Sequence, residues 1–297
     1  MSDRLDAARS FVAGHARLLD RRRFDFLFDD GDAGAVLAAL SGYRNPDGGY
    51  GHGLEPDLRA AESQPGPALH AFEVFAEVAP VVAPEAVELC DWLDGVALAG
   101  GGLPFALPIG DATATAPFWA KADPDEFSLQ ITAIVAAHAN RVAAHDPAVA
   151  AHPWLARATS RCLEALDRLE QAPSAYTLSF AIQLLDAVYE RVDNAPDRFA
   201  HLAAYVPDDG RLHVAGGLPD EALGPLDFAP EPGRPARDLL ADAVVAADLE
   251  RLAGAQRDDG GWTVDFESYS PAAALEWRGY ETVRALSILG RNGLLDV

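Results

Sequence analysis

The stretch NPDGGYGHGLEPD, residues 45–57, contains three chemically useful side chains that a turn does not need. Asp47 and the glycines beside it are typical of a tight turn between two helices. His52, Glu55 and Asp57 have no counterparts in the other glycine-rich turns of the chain. The two carboxyls lie two positions apart in an irregular loop, where they can share one site with His52 as proton shuttle or ligand. We therefore predict that these three residues are catalytic.

The same loop has simpler interpretations. Its carboxylates would also suit the cap of a helix predicted to begin near Pro65, or ion pairs with Arg44 and Arg59. One histidine with two carboxylates resembles a divalent metal site, but no second histidine follows at ligand spacing. The sequence therefore predicts neither a metal nor another cofactor.

A second acidic group lies in ADPDEFSLQITA, residues 122–133. We predict that Asp123, Asp125 and Glu126 begin a helix. Carboxyls that are crowded together and removed from water cannot all ionise, so one can stay protonated near neutral pH and act as a general acid. The prediction makes Asp125 the acid and its two neighbours the groups that tune it. The alternative is plain capping, because acidic residues are preferred in the first turn of any helix.

Composition limits the classes of partner. The chain has 297 residues, a hydrophobic share of 49% and a net charge of −23, so a large core is available and the surface repels phosphate backbones and anionic lipids. No nucleic-acid partner is predicted. No apolar run is long enough to span a membrane and the start lacks a signal segment, so we expect a cytoplasmic protein. Cys90 and Cys162 stand alone in apolar helical patterns and are predicted to be buried thiols. The oligomeric state is not predicted.

Internal repeats organise the chain. Segments beginning near Asn45, Gly100, Asp208 and Arg257 share a glycine-rich turn, an acidic or proline-bearing loop and an amphipathic helix, and a copy from Ser174 has lost its turn. Between the turns, apolar residues recur at steps of three and four, which predicts helices throughout.

These patterns predict an all-α fold. A helical hairpin cannot cover its own apolar face, so neighbouring hairpins must stack, and a closed ring leaves no exposed end. We expect one toroid domain over residues 1–297, with about five or six hairpins. Within it, residues 1–30 form a capping or ring-closing element, with a helix from about Arg4 to Arg23.

The last repeat carries a family resemblance. LERLAGAQRDDGGWTV, Leu249 to Val264, resembles the glutamine-tryptophan repeat of squalene-hopene cyclases. The matching residues are Gln256, Asp259, Gly260, Gly261 and Trp262. The first copy has Asn45 for the glutamine and Tyr50 for the tryptophan, and the second keeps only glycines and Phe105. The chain is thus similar to the terpenoid cyclase and protein prenyltransferase superfamily of α/α-toroids, and DGGYGHGLEPD resembles bacterial prenyltransferase-like proteins.

The resemblance implies inner and outer rings of helices around an axial cavity, and a terpene cyclase-like cyclase or isomerase acting on an isoprenoid or other hydrophobic small molecule. The Asp-x-Asp-Glu of residues 123–126 then corresponds to the Asp-x-Asp-Asp acid of class II cyclases, and aromatic faces stabilise carbocations. The residues predicted to bind substrate are Tyr50, Phe118, Trp119, Trp262, Glu267, Tyr269, Trp277 and Tyr280. The zinc-binding set of protein prenyltransferases is absent, so protein prenylation is not expected.

A carbohydrate-active or non-catalytic ligand-binding toroid is the alternative function. An inner surface of Leu, Phe and Trp would favour the cyclase, and one rich in Asn, Gln, Arg and carboxylates would favour the alternative. A binding module without chemistry would keep its ligand affinity when Asp125 or Glu55 is changed to its amide.

Overall fold

A computed structural model describes residues 3–295, and almost all of its regular structure is helical. In this part of the chain the only strands are β1 (Leu212–His213) and β2 (Ala222–Leu223), which pair antiparallel. The all-α prediction is confirmed. The α-helices are α1 (Asp3–His15), α2 (Leu18–Phe28), α3 (Ala33–Leu40), α4 (Pro65–Glu77), α5 (Pro84–Val96), α6 (Pro117–Ala120), α7 (Leu129–Val142), α8 (Pro147–Ala150), α9 (Pro153–Leu166), α10 (Ala175–Val188), α11 (Ala195–Ala203), α12 (Pro225–Phe228), α13 (Asp242–Gly254) and α14 (Pro271–Arg291). Short 3-10 helices cover Ser41–Tyr43, Tyr189–Arg191 and Pro235–Leu239.

Local sequence explains where many of these helices begin. Proline stands in the first turn of α4, α5 and α9, where its missing N–H and fixed φ cost nothing. The hydroxyls of Ser128, Ser174 and Ser270 accept hydrogen bonds from backbone N–H groups in the first turns of α7, α10 and α14.

The glycine-rich turn of the first repeat is a closed hairpin of backbone. The N–H of Asn45 donates to the carbonyl of Gly49 at 2.8 Å, and Gly48 has φ of +92°, a conformation that a side chain would strain. Asp47 Oδ1 accepts from the N–H of Gly49 at 3.0 Å. The predicted turn role of Asp47 and the glycines is therefore confirmed.

Two other repeats have the same turn. The same backbone bond closes residues 98–102 at 2.8 Å and residues 257–261 at 2.9 Å, with φ of +87° at Gly101 and +91° at Gly260. Asp259 Oδ1 accepts from the N–H of Gly261, two residues later, just as Asp47 Oδ1 accepts from the N–H of Gly49. Matching hydrogen bonds in separate segments support the repeats identified in the sequence.

The residue directly after each turn packs into the core. Tyr50, Leu103 and Trp262 hold this position and are each at most 1% exposed. In the second repeat, the sequence predicts Phe105 at this position. The hydrogen bonds show that Leu103 is the equivalent residue, so an aliphatic side chain replaces the aromatic one.

The chain divides into two compact units. In unit 2, residues 40–205, α7 is the central helix, and nearly all of its residues from Ile131 to Val142 are buried. Helices α4 and α10 flank α7 on one row, whereas α8 and α9 cover it from a second row. Helix α5 packs on α4, α8 and α9, and α11 packs on α10.

Unit 1 comprises residues 3–39 and 206–295 of the described chain. Its first two helices pack against the last one, α14, and α13 packs against both α12 and α14. The single helix predicted from about Arg4 to Arg23 is wrong, because the chain breaks at Arg17, where ψ of 156° ends the helical path between α1 and α2. The single-domain and ring arrangements stay predictions.

Two further expectations concern single features. Cys90 and Cys162 are fully buried free thiols, as predicted, and burial raises the pKa of Cys90 to about 12 and raises that of Cys162. Within residues 3–295, no helix combines the length and the apolar composition that crossing a bilayer requires.

Candidate functional site

The three residues predicted to act together in the first loop differ in their exposure to solvent. His52 is exposed, has φ of +55°, and its Nε2 hydrogen-bonds Asn45 Oδ1 at 2.9 Å. Its ring therefore holds the turn in place. Glu55 and Asp57 are only 6% and 3% exposed. The loop thus buries both of its candidate carboxylates and exposes its candidate histidine.

Glu55 belongs to a buried carboxylate–imidazole–carboxylate group. Its Oε2 lies 2.8 Å from Nε2 of His70, and the other ring nitrogen, Nδ1, lies 2.7 Å from Oε2 of Glu73. His70 and Glu73 are one turn apart on α4 and share a face of the helix. The second oxygen of Glu55 accepts from the backbone N–H of Asp57 at 3.2 Å.

The two carboxylates determine the charge of the ring between them. Burial alone would lower the pKa of His70, but the charge of Glu73 and the hydrogen bonds with Glu55 and Glu73 outweigh it and raise the pKa of His70 to about 9. At neutral pH His70 is therefore an imidazolium, and both of its N–H groups donate to carboxylates. One ring is therefore shared between two carboxyl groups.

Helix α7 extends this group. Nε2 of His138 lies 3.8 Å from Oε1 of Glu73, which is longer than a hydrogen bond. Nη1 of Arg141 donates to Nδ1 of His138 at 3.2 Å. Since Nδ1 must then be the acceptor, the ring proton lies on Nε2, on the side of Glu73. We call Glu55, His70, Glu73, His138 and Arg141 the histidine relay.

Helix α10 adds polar partners to the relay. Nη2 of Arg141 lies 3.5 Å from Oε1 of Gln183, whose amide donates to Oγ of Ser179 at 3.3 Å. The polar chain therefore crosses the contacts between α4, α7 and α10, the row at the centre of unit 2. Burying so many polar groups costs free energy, which their mutual hydrogen bonds must offset.

One end of the relay is more open than the other. The side chains of Glu55 and His70 are each 8% exposed, and that of Glu73 is 18% exposed. Glu73 is therefore the most exposed of these three side chains.

The second acidic group does not meet the conditions of the general-acid prediction. Asp123, Asp125 and Glu126 are all exposed, so water separates and solvates their charges. They also precede the helix instead of beginning it, because α7 starts at Leu129 and Ser128 is its cap. Oδ1 of Asp123 accepts from the N–H of Asp125 at 2.9 Å, as in an ordinary turn. The structure thus removes the physical basis for an acid at Asp125.

The residues predicted to bind substrate fall in both units. In the core, Tyr50 packs edge-on to Phe75, and Nε1 of Trp262 donates to the carbonyl of Leu252 at 2.8 Å. Phe118 is 49% exposed, whereas Trp119 is 7% exposed.

The remaining predicted aromatics lie around the start of α14, in unit 1. Trp277 and Tyr280 meet nearly at right angles with centroids 5.5 Å apart, and the guanidinium of Arg23 lies over Tyr280 at 5.4 Å. Glu267 and Tyr269 are exposed in the preceding segment. Because a cation of the protein already occupies a face of Tyr280, that ring has a packing role in the structure.

Four members of the relay were missed in the sequence. His70, Glu73, His138 and Arg141 lie within the apolar patterns PALHAFEVF and IVAAHANRV, whose periodicity predicts amphipathic helices and no site. The available signal was a histidine followed three residues later by a charged residue on the core-facing side of two helices.

Among residues 3–295, no three His, Cys, Asp or Glu side chains are arranged to hold a metal ion. No protein-family model matches the sequence. A search of curated proteins also gives no significant match.

Proposed function

We propose that this protein is an enzyme of general acid–base chemistry that acts on a polar, hydroxyl-bearing small molecule at the histidine relay. One observation carries the proposal, the imidazolium of His70 held between the carboxylates of Glu55 and Glu73 in the interior of unit 2. Such clusters are costly to bury and are common where proton transfer is arranged.

The geometry gives each residue of the relay a role. Glu73 is the catalytic base, because it lies at the more exposed end and its Oε2 is held 2.7 Å from Nδ1 of His70. Glu73 takes a proton from the substrate and returns it at a neighbouring atom. The Nε2–H of His138 then donates a hydrogen bond to the oxygen on which negative charge develops. Glu55 and His70 are positioning residues that hold Glu73.

We place this site in the α/α-toroid fold that the sequence resemblance implies. Three turns with the same hydrogen bonds support the repeat, and in unit 2 the row of α4, α7 and α10 is backed by α5, α8 and α9. In a toroid, the row of α4, α7 and α10 would belong to the inner ring of helices. The relay would then face the axial cavity.

Cyclisation of an isoprenoid, which the resemblance favours, has less support. A cyclase of that kind needs a carboxylic acid that is shielded from water. The carboxyls that would correspond to this acid, those of Asp123, Asp125 and Glu126, are exposed. The row of α4, α7 and α10 carries His, Glu, Arg and Gln at the relay, which favours a polar substrate.

The test is a substrate screen by mass spectrometry with short oligosaccharides, polyols and linear isoprenoid alcohols and diphosphates. We expect Glu73→Gln to lower turnover of a hydroxyl-rich compound by about 100-fold or more. Glu170→Gln, an exposed carboxylate of the same unit, is the matched control and should keep full activity.

Asp125→Asn separates the two candidate functions. Loss of an isoprenoid product in Asp125→Asn, with Glu73→Gln active, would contradict the relay and support the cyclase. Ligand binding without turnover of any compound would make the relay a binding site and not a catalytic one.

A further inference from the structure

The two histidines of the relay have different partners at Nδ1. In His70, Nδ1 lies 2.7 Å from a carboxyl oxygen of Glu73. In His138, Nδ1 lies 3.2 Å from Nη1 of Arg141, one turn later on α7. A carboxylate accepts an N–H, whereas a guanidinium can only donate. The environment of Nδ1 therefore favours a proton in His70 and opposes one in His138.

Arg141 determines which form of the His138 ring is compatible with the structure. Its N–H is directed at Nδ1, so Nδ1 must carry a lone pair and the single ring proton lies on Nε2. A ring protonated at both nitrogens would turn an N–H toward the guanidinium and lose this hydrogen bond. His138 is only 7% exposed, so water offers little in replacement.

Helix α10 aligns Arg141. Nη2 of Arg141 lies 3.5 Å from Oε1 of Gln183, and Nε2 of Gln183 donates to Oγ of Ser179 at 3.3 Å. The opposite orientation of this amide would place its NH2 group against the guanidinium, donor against donor. Ser179 is 1% exposed and lies one turn earlier on α10, so the amide has a buried acceptor. Side chains from two helices thus restrict the plane of the guanidinium.

We propose that Arg141 is a positioning residue that keeps His138 in its neutral, Nε2-protonated form, and that Gln183 aligns Arg141 for this role. The inference rests on the proposed function, in which the Nε2–H of His138 donates to the oxygen that gains negative charge. In the other tautomer, a lone pair on Nε2 would face that oxygen and repel the developing charge. The relay then combines a charged ring at His70 with a neutral donor at His138.

The first experiment is NMR spectroscopy of the protein with 15N-labelled histidine rings, at about pH 7.5 and without substrate. Long-range 1H–15N spectra distinguish the two tautomers and the doubly protonated ring. The chain has eight histidines, and the signals of His138 are those that disappear in His138→Gln. We expect His138 to be protonated at Nε2 alone and His70 at both nitrogens. A proton on Nδ1 of His138 in the unchanged protein overturns the inference.

Substitutions at Arg141 separate hydrogen-bond donation from packing. Arg141→Met removes the donor, so the Nδ1 signal of His138 should move toward the protonated value. Arg141→Lys retains a cationic donor and should preserve the Nε2–H form. Gln183→Leu should produce a smaller shift, because Arg141 loses its alignment but keeps its charge. Arg168→Met, which removes an exposed arginine of unit 2, is the matched control and should leave His138 unchanged.

Kinetics with the substrate found in the screen measure the consequence for the reaction. Arg141→Met should lower kcat about tenfold and change KM by less than about twofold, because the donor serves the transition state more than the bound substrate. Arg141→Lys should recover most of the lost kcat. A residue with a merely structural role would not link the ring tautomer to kcat in this way.

The two proposals can fail separately. An Nε2–H form that is present in the unchanged protein and lost in Arg141→Met supports the inference, and the absence of turnover would then remove the proposed function alone. Turnover that requires Glu73, with His138 still in its Nε2–H form in Arg141→Met, would leave the enzyme in place and overturn the role of Arg141.

Discussion

His70 in unit 2 and Arg284 in unit 1 hold corresponding positions in two repeats and solve the same electrostatic problem differently. The correspondence follows from hydrogen bonds to the residue after each turn. The second repeat links the first to the last. Gln64 and Ser128 each donate a backbone N–H to the carbonyl of the residue after the turn, which is Tyr50 in the first repeat and Leu103 in the second. The hydroxyls of Thr132 and Thr282 each accept from the backbone N–H of the residue after the turn, which is Leu103 in the second repeat and Trp262 in the last.

In both repeats, the cation is held between two carboxylates. His70 lies between Glu55 from a loop and Glu73 from its own helix. Arg284 donates to Asp227 from the short helix α12 and to Glu281 from its own helix. Burial lowers the pKa of Arg284, but the two carboxylates raise it, and the net change is a rise. Burial and the charge of Asp227 raise the pKa of Glu281, although Arg284 lowers it.

The difference lies in the proton. Arg284 stays charged at every accessible pH, so its cluster can only be structural or bind by charge. His70 has a proton that can leave at moderately alkaline pH, so the same arrangement becomes responsive to pH. The choice of cation between two carboxylates therefore separates a fixed ion pair from a site suited to proton chemistry.

The largest expected effect comes from removing the two cations. His70→Ala leaves two buried carboxylates facing each other, and we expect a loss of about 3–5 kcal/mol of unfolding free energy. Arg284→Ala should cost less, about 1–2 kcal/mol, because Arg284 and Asp227 are 28% and 26% exposed and water can solvate what remains. Urea denaturation at neutral pH measures both. Equal losses would show that the two clusters are buried to the same extent in solution.

Stability should also depend on pH through His70. Its folded-state pKa of about 9 lies above the ordinary value of 6.5, so its contribution is complete below pH 6.5 and is lost as pH rises through 9. We expect unfolding free energy to fall by about 3 kcal/mol across this range. Urea denaturation from pH 6 to pH 10 measures the slope.

Two variants test the origin of that slope. His70→Gln should flatten it, because an amide does not titrate. Arg284→Ala should keep it, although the protein is less stable throughout. A slope that survives in His70→Gln would assign the titration to another group.

The fold could be predicted from the sequence further than the site could. Helical periodicity and the glycine turns are local, so α4, α5, α9 and α13 and the turn at residues 45–49 follow from the residues themselves. The break at Arg17 has only Gly14, near the end of α1, as a local signal, and we expect it to depend on how α1 and α2 pack on α14.

The site depends on contacts between distant residues. Glu55 is a candidate because its repeat does not need it. Its partner His70 lies in a different element, where the sequence shows only one polar residue in an apolar helix. Asp125, unlike Glu55, is exposed to solvent, and the exposure of a side chain is a property of the folded chain. Spacing alone could not distinguish a buried carboxylate from an exposed one.

A smaller effect tests whether the second and the last repeat, on which the comparison of His70 with Arg284 depends, truly correspond. Thr132 and Thr282 are fully buried, and each hydroxyl accepts from the N–H of the residue after a turn, at 2.9 and 3.0 Å. Thr132→Val and Thr282→Val should each cost about 1–2 kcal/mol, since a buried N–H loses its acceptor. Hydrogen exchange should show faster exchange at Leu103 in the first variant and at Trp262 in the second. Exchange rates unchanged at these two amides would contradict the correspondence.

The smallest expected effect concerns the exposed acidic group. Asp125→Asn removes a charge that is already solvated, so unfolding free energy should change by less than about 0.5 kcal/mol. Glu55→Gln is the same chemical change at a buried site, and it should cost about 1–3 kcal/mol because His70 loses a charged acceptor. Chemical denaturation of the two variants compares two carboxylates that the sequence predicts to be catalytic. If Asp125→Asn proved as costly as Glu55→Gln, the segment before α7 would have to fold over its carboxylates in solution, and the general acid predicted there would regain its physical basis.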